Sequence, residues 1–374
     1  MGRGSFLLPV FLVLWALPGF AQNPAERPYW YTLERGKASF RAGEYGTALV
    51  AFEEAREQRQ ALYKRMERDL VNLLSRPDVR LLGDSLDQVE AYIAGEGQRA
   101  AAAALAELYY RLPRSSLGGS ARTALEQLER LEAYPEAEYW IGETYRAEGE
   151  LGIALGQYLK AYEHRSLLEA PAFSTEIVYR IVDIHRIRQE YLDMEKWLLV
   201  ILEQDTRWSA DGRDFTKNAM ARILENDGIT RFLTLYRYNN TLVERAHRLL
   251  GLYYYASGRH SRAAEHLLFS FLIQNTVIIE EILRHRPDFR FTGLDGLRSE
   301  ISRRPALAAY LEEVDYYKTM YYLGSALYAA GKAHPAGEFW RFLAQGAASF
   351  AGEWGSRARS QISRPSIEPA VEMP

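Results

Sequence analysis

The stretch that decides the fold is Ile141–Ala161, IGETYRAEGELGIALGQYLKA, in which Ile141 and Gly142 are followed by Tyr145, Gly149, Ala154, Tyr158 and Ala161. The same residue classes return at the same offsets in three other places. Leu250 and Gly251 lead to Tyr254, Gly258, Ala263 and Leu267, and Leu323 and Gly324 lead to Leu327, Gly331, Ala336 and Trp340. A weaker copy runs from Gly36 through Ser39, Gly43, Ala48 and Phe52 to Ala55. The spacing has a physical logic. A small residue on a first helix lets a second helix approach, and the later alanine does the same from the other side. The glycine between them ends the first helix in left-handed backbone, which residues carrying a Cβ adopt only at a cost. Large residues such as Tyr145 and Tyr158 fill the space that the small ones leave.

This arrangement resembles the tetratricopeptide repeat, with its W-x2-L-G-x2-Y, A-x3-F pattern. The intervals separating Ala48, Ala154, Ala263 and Ala336 come close to three, three and two periods of about 35 residues, near the repeat length of that family. Degenerate units are therefore expected between the clear ones. Gln189-Glu190-Tyr191-Leu192-Asp193-Met194, followed by Leu198 and Ile201, copies the turn and second helix with methionine in place of alanine, and a further turn is expected at Asn226-Asp227-Gly228. The tryptophan that the family pattern places early in the first helix is absent at that position in all four units, and Ser39 stands where the first would carry tyrosine. The resemblance implies an all-α fold, a right-handed α-solenoid of helix-turn-helix repeats in which each repeat packs on its neighbours. Clear repeats lie near 29–62, 135–168, 244–277 and 317–350 within one continuous array over 22–362. The second helix of the first unit reads as unusually long, from Tyr45 to about Ser75. Residues 274–315 fit no unit and read as an irregular insertion, and 363–374, with Pro365, Pro369 and Pro374 and little to bury, as a disordered tail. Elsewhere helical periodicity predominates, with breaks at Arg76-Pro77, Tyr134-Pro135, Pro171, Arg286-Pro287 and Arg304-Pro305.

Residues 1–21 read as an address. Arg3 supplies a positive charge, Phe6–Leu17 is almost wholly apolar, and Gly19 and Ala21 are small residues placed for cleavage before Gln22. The apolar run is shorter than the roughly 20 residues needed to span a bilayer. The expectation is export to the periplasm as a protein that does not span the membrane when mature. With no cysteine in the chain, it is not a lipoprotein, and disulfides, thiol catalysis and thiolate metal sites are excluded. The net charge of −3 lacks the basic excess of a nucleic-acid binder, so no nucleic acid is expected as a partner.

Catalytic chemistry finds no foothold. Of His164, His185, His247, His260, His266, His285 and His334, none forms the i, i+4 pair of a helical zinc site, H-E-x-x-H is missing, and surface or cap roles are expected for all seven. Gly331-Lys332-Ala333 lacks the hydroxyl of a phosphate loop, and no G-x-S-x-G elbow occurs. The pairs Glu53-Glu54, Glu280-Glu281 and Glu312-Glu313 are sequence neighbours that do not face one another. The reading is of a protein that is not an enzyme and uses no cofactor and no metal.

In a tetratricopeptide solenoid the first helix of each repeat lines the concave surface. The register places Glu136, Tyr139, Glu143 and Arg146 there in the second unit, Arg245, Arg248, Leu252 and Tyr255 in the third, and Lys318, Tyr321, Ser325 and Tyr328 in the fourth. Tyr139, Glu143, Arg146, Arg248, Leu252, Tyr255, Tyr321 and Tyr328 form the candidate protein-binding groove. The asparagines by which family members grip a terminal carboxylate are missing, because Glu143, Leu252 and Ser325 stand at that position. Tyrosine and arginine are enriched at the energetic centres of interfaces, but tyrosines also pack between neighbouring helices. The function expected is a non-enzymatic periplasmic scaffold that holds a protein or peptide in its groove during cell-envelope assembly. One alternative is a structural subunit of a larger periplasmic machine, such as the spirochaete flagellar collar. The rival from another class is a solute- or glycan-binding receptor.

Overall fold

A computed structural model describes residues 28–74, 133–205, 213–345 and 348–369. Among the described residues there are fourteen α-helices and no strand: α1 (Tyr29–Arg41), α2 (Tyr45–Leu74), α3 (Pro135–Ala147), α4 (Leu151–Glu163), α5 (Phe173–Ile187), α6 (Tyr191–Glu203), α7 (Arg213–Leu235), α8 (Thr241–Ala256), α9 (His260–His285), α10 (Leu294–Ile301), α11 (Pro305–Glu313), α12 (Tyr316–Ala329), α13 (Ala333–Gln345) and α14 (Ala348–Ser363). The all-helical fold read from periodicity is therefore present. The chain divides into two compact units, Met1–Glu150 and Leu151–Pro374, where one continuous array was expected.

The turns are the most regular feature. Gly43, Gly149, Gly258 and Gly331 all have left-handed backbone, with φ between 73° and 87°. Around each, the same two hydrogen bonds close the preceding helix. The amide after the glycine donates to the carbonyl five residues back (Glu44 to Ser39, Glu150 to Tyr145, Arg259 to Tyr254, Lys332 to Leu327), and the glycine amide donates to the carbonyl three back. This satisfies carbonyls that a helix end otherwise leaves without partners. A fifth turn has the same bonds around Gln189, which holds φ 59° without being glycine. The degenerate unit is thus built like the clear ones, at a conformational cost the others avoid.

In the first unit α1 and α2 form such a hairpin. Gly36 lies so close to α2 that a Cβ built on it would be 2.5 Å from Phe52. Leu33, Ala48, Phe52 and Ala55 bury their side chains against Tyr134, Ala137 and Ile141 of the α3 segment. Trp140 stacks on Phe52 with ring centres 5.9 Å apart, and the buried Arg59 guanidinium lies 4.6 Å from the Tyr134 ring centre. Such contacts let a cation stay inside because the aromatic faces are electron-rich. The 30-residue length of α2 matches the long helix read from sequence.

In the second unit, hairpins α5–α6, α8–α9 and α12–α13 follow one another: α4 packs on α5, α6 on α8, α9 on α12, and α14 on α13. The small-against-large register recurs, for a Cβ on Gly251 would meet Leu267 at 2.5 Å and one on Gly324 would meet Trp340 at 2.8 Å. One continuous core runs through these helices.

Two spacings mislead. The interval from Ala263 to Ala336 was read as two repeat periods, yet α9 packs directly on α12. The extra residues lengthen α9 to 26 residues and form α10 and α11 beside the row. Likewise, α7 kinks at Gly228 (φ 77°), where a turn was expected, but the segment packs on α13 and α9 instead of standing between α6 and α8. The Ile229 amide donates to Glu338 Oε2 of α13 at 3.0 Å, which fixes it there.

Helix α9 is the one described helix long and apolar enough to cross a membrane, and most of its apolar stretch is buried inside the protein. Its middle is not uniformly apolar. Ser270, Gln274, Asn275 and Thr276 are buried, and their partners explain why they are there. Ser270 Oγ and Gln274 Nε2 each donate to Glu244 at 2.7 Å, and Gln274 Nε2 also donates to the Val314 carbonyl. Asn275 accepts from the Tyr316 hydroxyl, and Thr276 accepts from the Tyr238 amide. The long helix is therefore a spine to which the start of α8 and the far end of the 286–315 detour are tied.

Candidate functional site

Helices α8 and α12 carry most of the expected groove, and the direct packing of α9 on α12 brings them side by side. The Tyr255 ring meets Tyr322 edge-on at 5.1 Å. At the other end Arg248 Nη1 pairs with Asp315 at 2.5 Å, while its Nε donates to Glu244 at 3.3 Å. Arg248 is thus a clasp between helices, with its charge already matched by two carboxylates, and not an open docking cation. Leu252 lies in the core. Tyr328 is half-buried against Trp340, with ring centres 5.7 Å apart. Ser325 is buried, its hydroxyl donating to the Tyr321 carbonyl. Arg245 pairs with Asp183 and lies over the Tyr179 ring.

Tyr255 and Tyr321 are buried, but not by helix packing alone. Residues 364–369, expected as a disordered tail, run back over this face. The Tyr255 hydroxyl donates to the Glu368 carbonyl at 2.8 Å, and the Tyr321 hydroxyl donates to the Glu368 carboxylate at 2.6 Å. Gln361 Nε2 donates to the Tyr321 hydroxyl at 3.4 Å and Gln361 Oε1 accepts from the Ser366 amide at 2.9 Å. Burial is the main reason the Tyr255 phenol is pushed up to about 12, with the neighbouring Tyr322 and Glu368 adding to it; the Tyr321 phenol is raised further, again chiefly by burial. Both hydroxyls therefore stay protonated, and act as donors, throughout the physiological range.

The other three candidates belong to the first unit. Tyr139 is buried edge-on to Trp140, and Glu143 is buried and paired with Arg146 at 2.9 Å. Each of them has a partner within α3.

The histidines differ from expectation in two places. His247 and His266 are buried, not superficial, and their Nδ1 atoms face each other at 3.2 Å across α8 and α9. They lie on two different helices, so no spacing within one helix marks them. His185 Nδ1 lies 2.7 Å from Glu190, and with Asp193 these residues present three ligand-type atoms within 4.8 Å of one another. Glu190 and Asp193 are exposed, and the pairing of His185 with Glu190 accounts for the approach without an ion.

Comparison with known proteins places the chain among little-described relatives. It is 24% identical over 336 residues to an uncharacterized protein of Treponema pallidum (strain Nichols), covering 89% of both chains. It is 22% identical over 259 residues to an uncharacterized protein of Borreliella burgdorferi, covering 63% of this chain and 80% of that one. Both relatives are spirochaetal. No protein-family model matches the chain, and no solved structure matches it. The leader expected at 1–21 and the cleavage point expected before Gln22 lie outside the described residues.

Proposed function

We propose that this chain is a non-enzymatic scaffold of tetratricopeptide type, exported to the periplasm, which docks an extended protein segment during cell-envelope assembly. The observation that carries the reading is the α8–α12 face. Two helices at equivalent places in successive hairpins present Tyr255 and Tyr321 together, and a non-helical stretch of polypeptide lies on them through Glu368. Support for the repeat class comes from the five identical turns and from the three glycines whose close neighbours stand at one register. Repeat arrays use such faces as extended binding surfaces, and tyrosine suits them because it buries area while keeping a polar handle.

Affinity capture from an envelope extract tests this reading. A stoichiometric protein should co-purify with the wild-type chain and be lost from the double variant Tyr255→Phe, Tyr321→Phe, whose circular dichroism should be unchanged. Equal recovery by the double variant, or recovery of no protein, would count against it. Recovery of a saccharide or small solute instead would favour a receptor. N-terminal sequencing of envelope-fraction protein should begin at Gln22.

A second reading is a structural subunit of a periplasmic machine such as the spirochaete flagellar collar. It is favoured by the occurrence of both relatives in spirochaetes. Co-purification with flagellar basal bodies would support it, and recovery from the envelope free of them would sink it.

A further inference from the structure

The segment lying on the α8–α12 face has a chemistry of its own. After α14 ends at Ser363, the Ser366 amide donates to Gln361 and the chain turns back. Pro365 and Pro369 cannot supply backbone donors and disfavour a continued helix, and residues 365–369 form none. Glu368 then meets two hydroxyls from two different hairpins. Tyr255 of α8 reads its backbone carbonyl, and Tyr321 of α12 reads its carboxylate. The second contact is a phenol donating to a carboxylate, among the stronger hydrogen bonds available without a cation. One contact fixes the path of a main chain and the other selects an acidic side chain. Together they recognise an extended acidic segment.

We propose that residues 364–369 are an intramolecular occupant of the docking face, held where an acidic extended segment of the protein partner binds, so that the partner enters only when the tail leaves. This deepens the scaffold reading and rests on it. A tethered segment acts at an effective concentration of order millimolar for a short flexible tether, so a free partner takes the face only if it binds there more tightly than the tail does. Glu368 lies outside the hydrophobic core, so its substitution leaves the fold intact.

The test uses the full chain and a fluorescent synthetic peptide spanning residues 363–374. The Glu368→Ala chain should bind this peptide at least tenfold more tightly than the wild-type chain, because its own tail no longer competes. The gain should disappear when the peptide carries the same Glu→Ala change. It should also disappear when Tyr321→Phe is added to the Glu368→Ala chain, with circular dichroism confirming that each chain is folded. Equal affinity of the wild-type and Glu368→Ala chains overturns the proposal, as does a gain that survives either control. If the peptide behaves as expected while envelope capture recovers no protein, the tail contact stands and the scaffold reading fails. If capture succeeds and the peptide shows no gain, the reverse holds.

Discussion

Gly251 on α8 lies so close to Leu267 on α9 that one added methyl group would meet the leucine Cγ at 2.5 Å and its backbone nitrogen at 3.1 Å. The leucine side chain can shift, but the backbone cannot do so without moving α9. Gly251→Ala should therefore destabilise the second unit by about 1–3 kcal/mol, and Gly251→Leu by more, as overpacking does. Thermal unfolding followed at 222 nm measures this. An unchanged midpoint for Gly251→Leu would show that the helix register is wrong.

Gly258 poses a different constraint. Nothing lies within 4 Å of a Cβ placed there, but its φ is 73°. Gly258→Ala should cost about 1 kcal/mol from backbone conformation alone. Gln189 occupies the same place in a degenerate turn with φ 59°, so Gln189→Gly should shift stability in the opposite sense. Denaturant midpoints of the two variants that move in the same direction would contradict the shared turn geometry.

Arg248 cannot serve as a simple probe of ligand binding. Its guanidinium bridges the buried Glu244 and the exposed Asp315, and Glu244 also accepts from Ser270 and Gln274. Arg248→Glu would place a carboxylate beside Glu244, and breaking a buried pair in this way costs about 3–5 kcal/mol. Urea unfolding should show that loss directly. A variant as stable as wild type would mean that the clasp is not formed in solution.

Alkaline stability follows from the tyrosines. Burial is the leading cause that pushes Tyr63, Tyr254 and Tyr255 up to about 12 from an ordinary value of 10.0. Below pH 10 both folded and unfolded chains hold these protons, so the contribution is fully present. As pH rises from 10 towards 12 the unfolded chain releases them first, and stability falls. Absorbance at 295 nm should show these phenols ionising together with the loss of helix, not ahead of it.

The hairpins were legible because their signal is local. A left-handed residue ending one helix must be glycine or pay for being otherwise, and it sits at a fixed distance from the small and large residues that pack around it. Gly43, Gly149, Gly258 and Gly331 follow from that rule, as does Gln189 once its neighbours are aligned. The 30-residue α2 was legible from unbroken periodicity. The row order was not. The interval between Ala263 and Ala336 looks like a whole number of repeats, but α9 packs directly on α12, and the buried polar set Ser270, Gln274 and Asn275 has partners, on α8 and at the far end of the detour, that carry no periodic signature. The His247–His266 pair and the Glu368 contacts were hidden for the same reason, each depending on residues far apart in sequence. Tyr255 and Tyr321 were read as groove residues from register alone, whereas burial and the tail decide what they touch.

The detour from Arg286 to Asp315 has a consequence for how the chain tolerates change. It joins two helices, α9 and α12, that pack directly, so it is a closed loop in the sense of polymer physics. The entropy lost in closing such a loop grows only with the logarithm of its length, about 0.6 kcal/mol for each doubling. Residues could be added beside the exposed Pro287 and Asp288 at small thermodynamic expense, leaving Phe289 and Phe291 packed on the core, while Gln274 still reaches Val314 and Arg248 still reaches Asp315. Length variation among related chains is therefore expected to concentrate in this loop, leaving the order of the hairpins untouched.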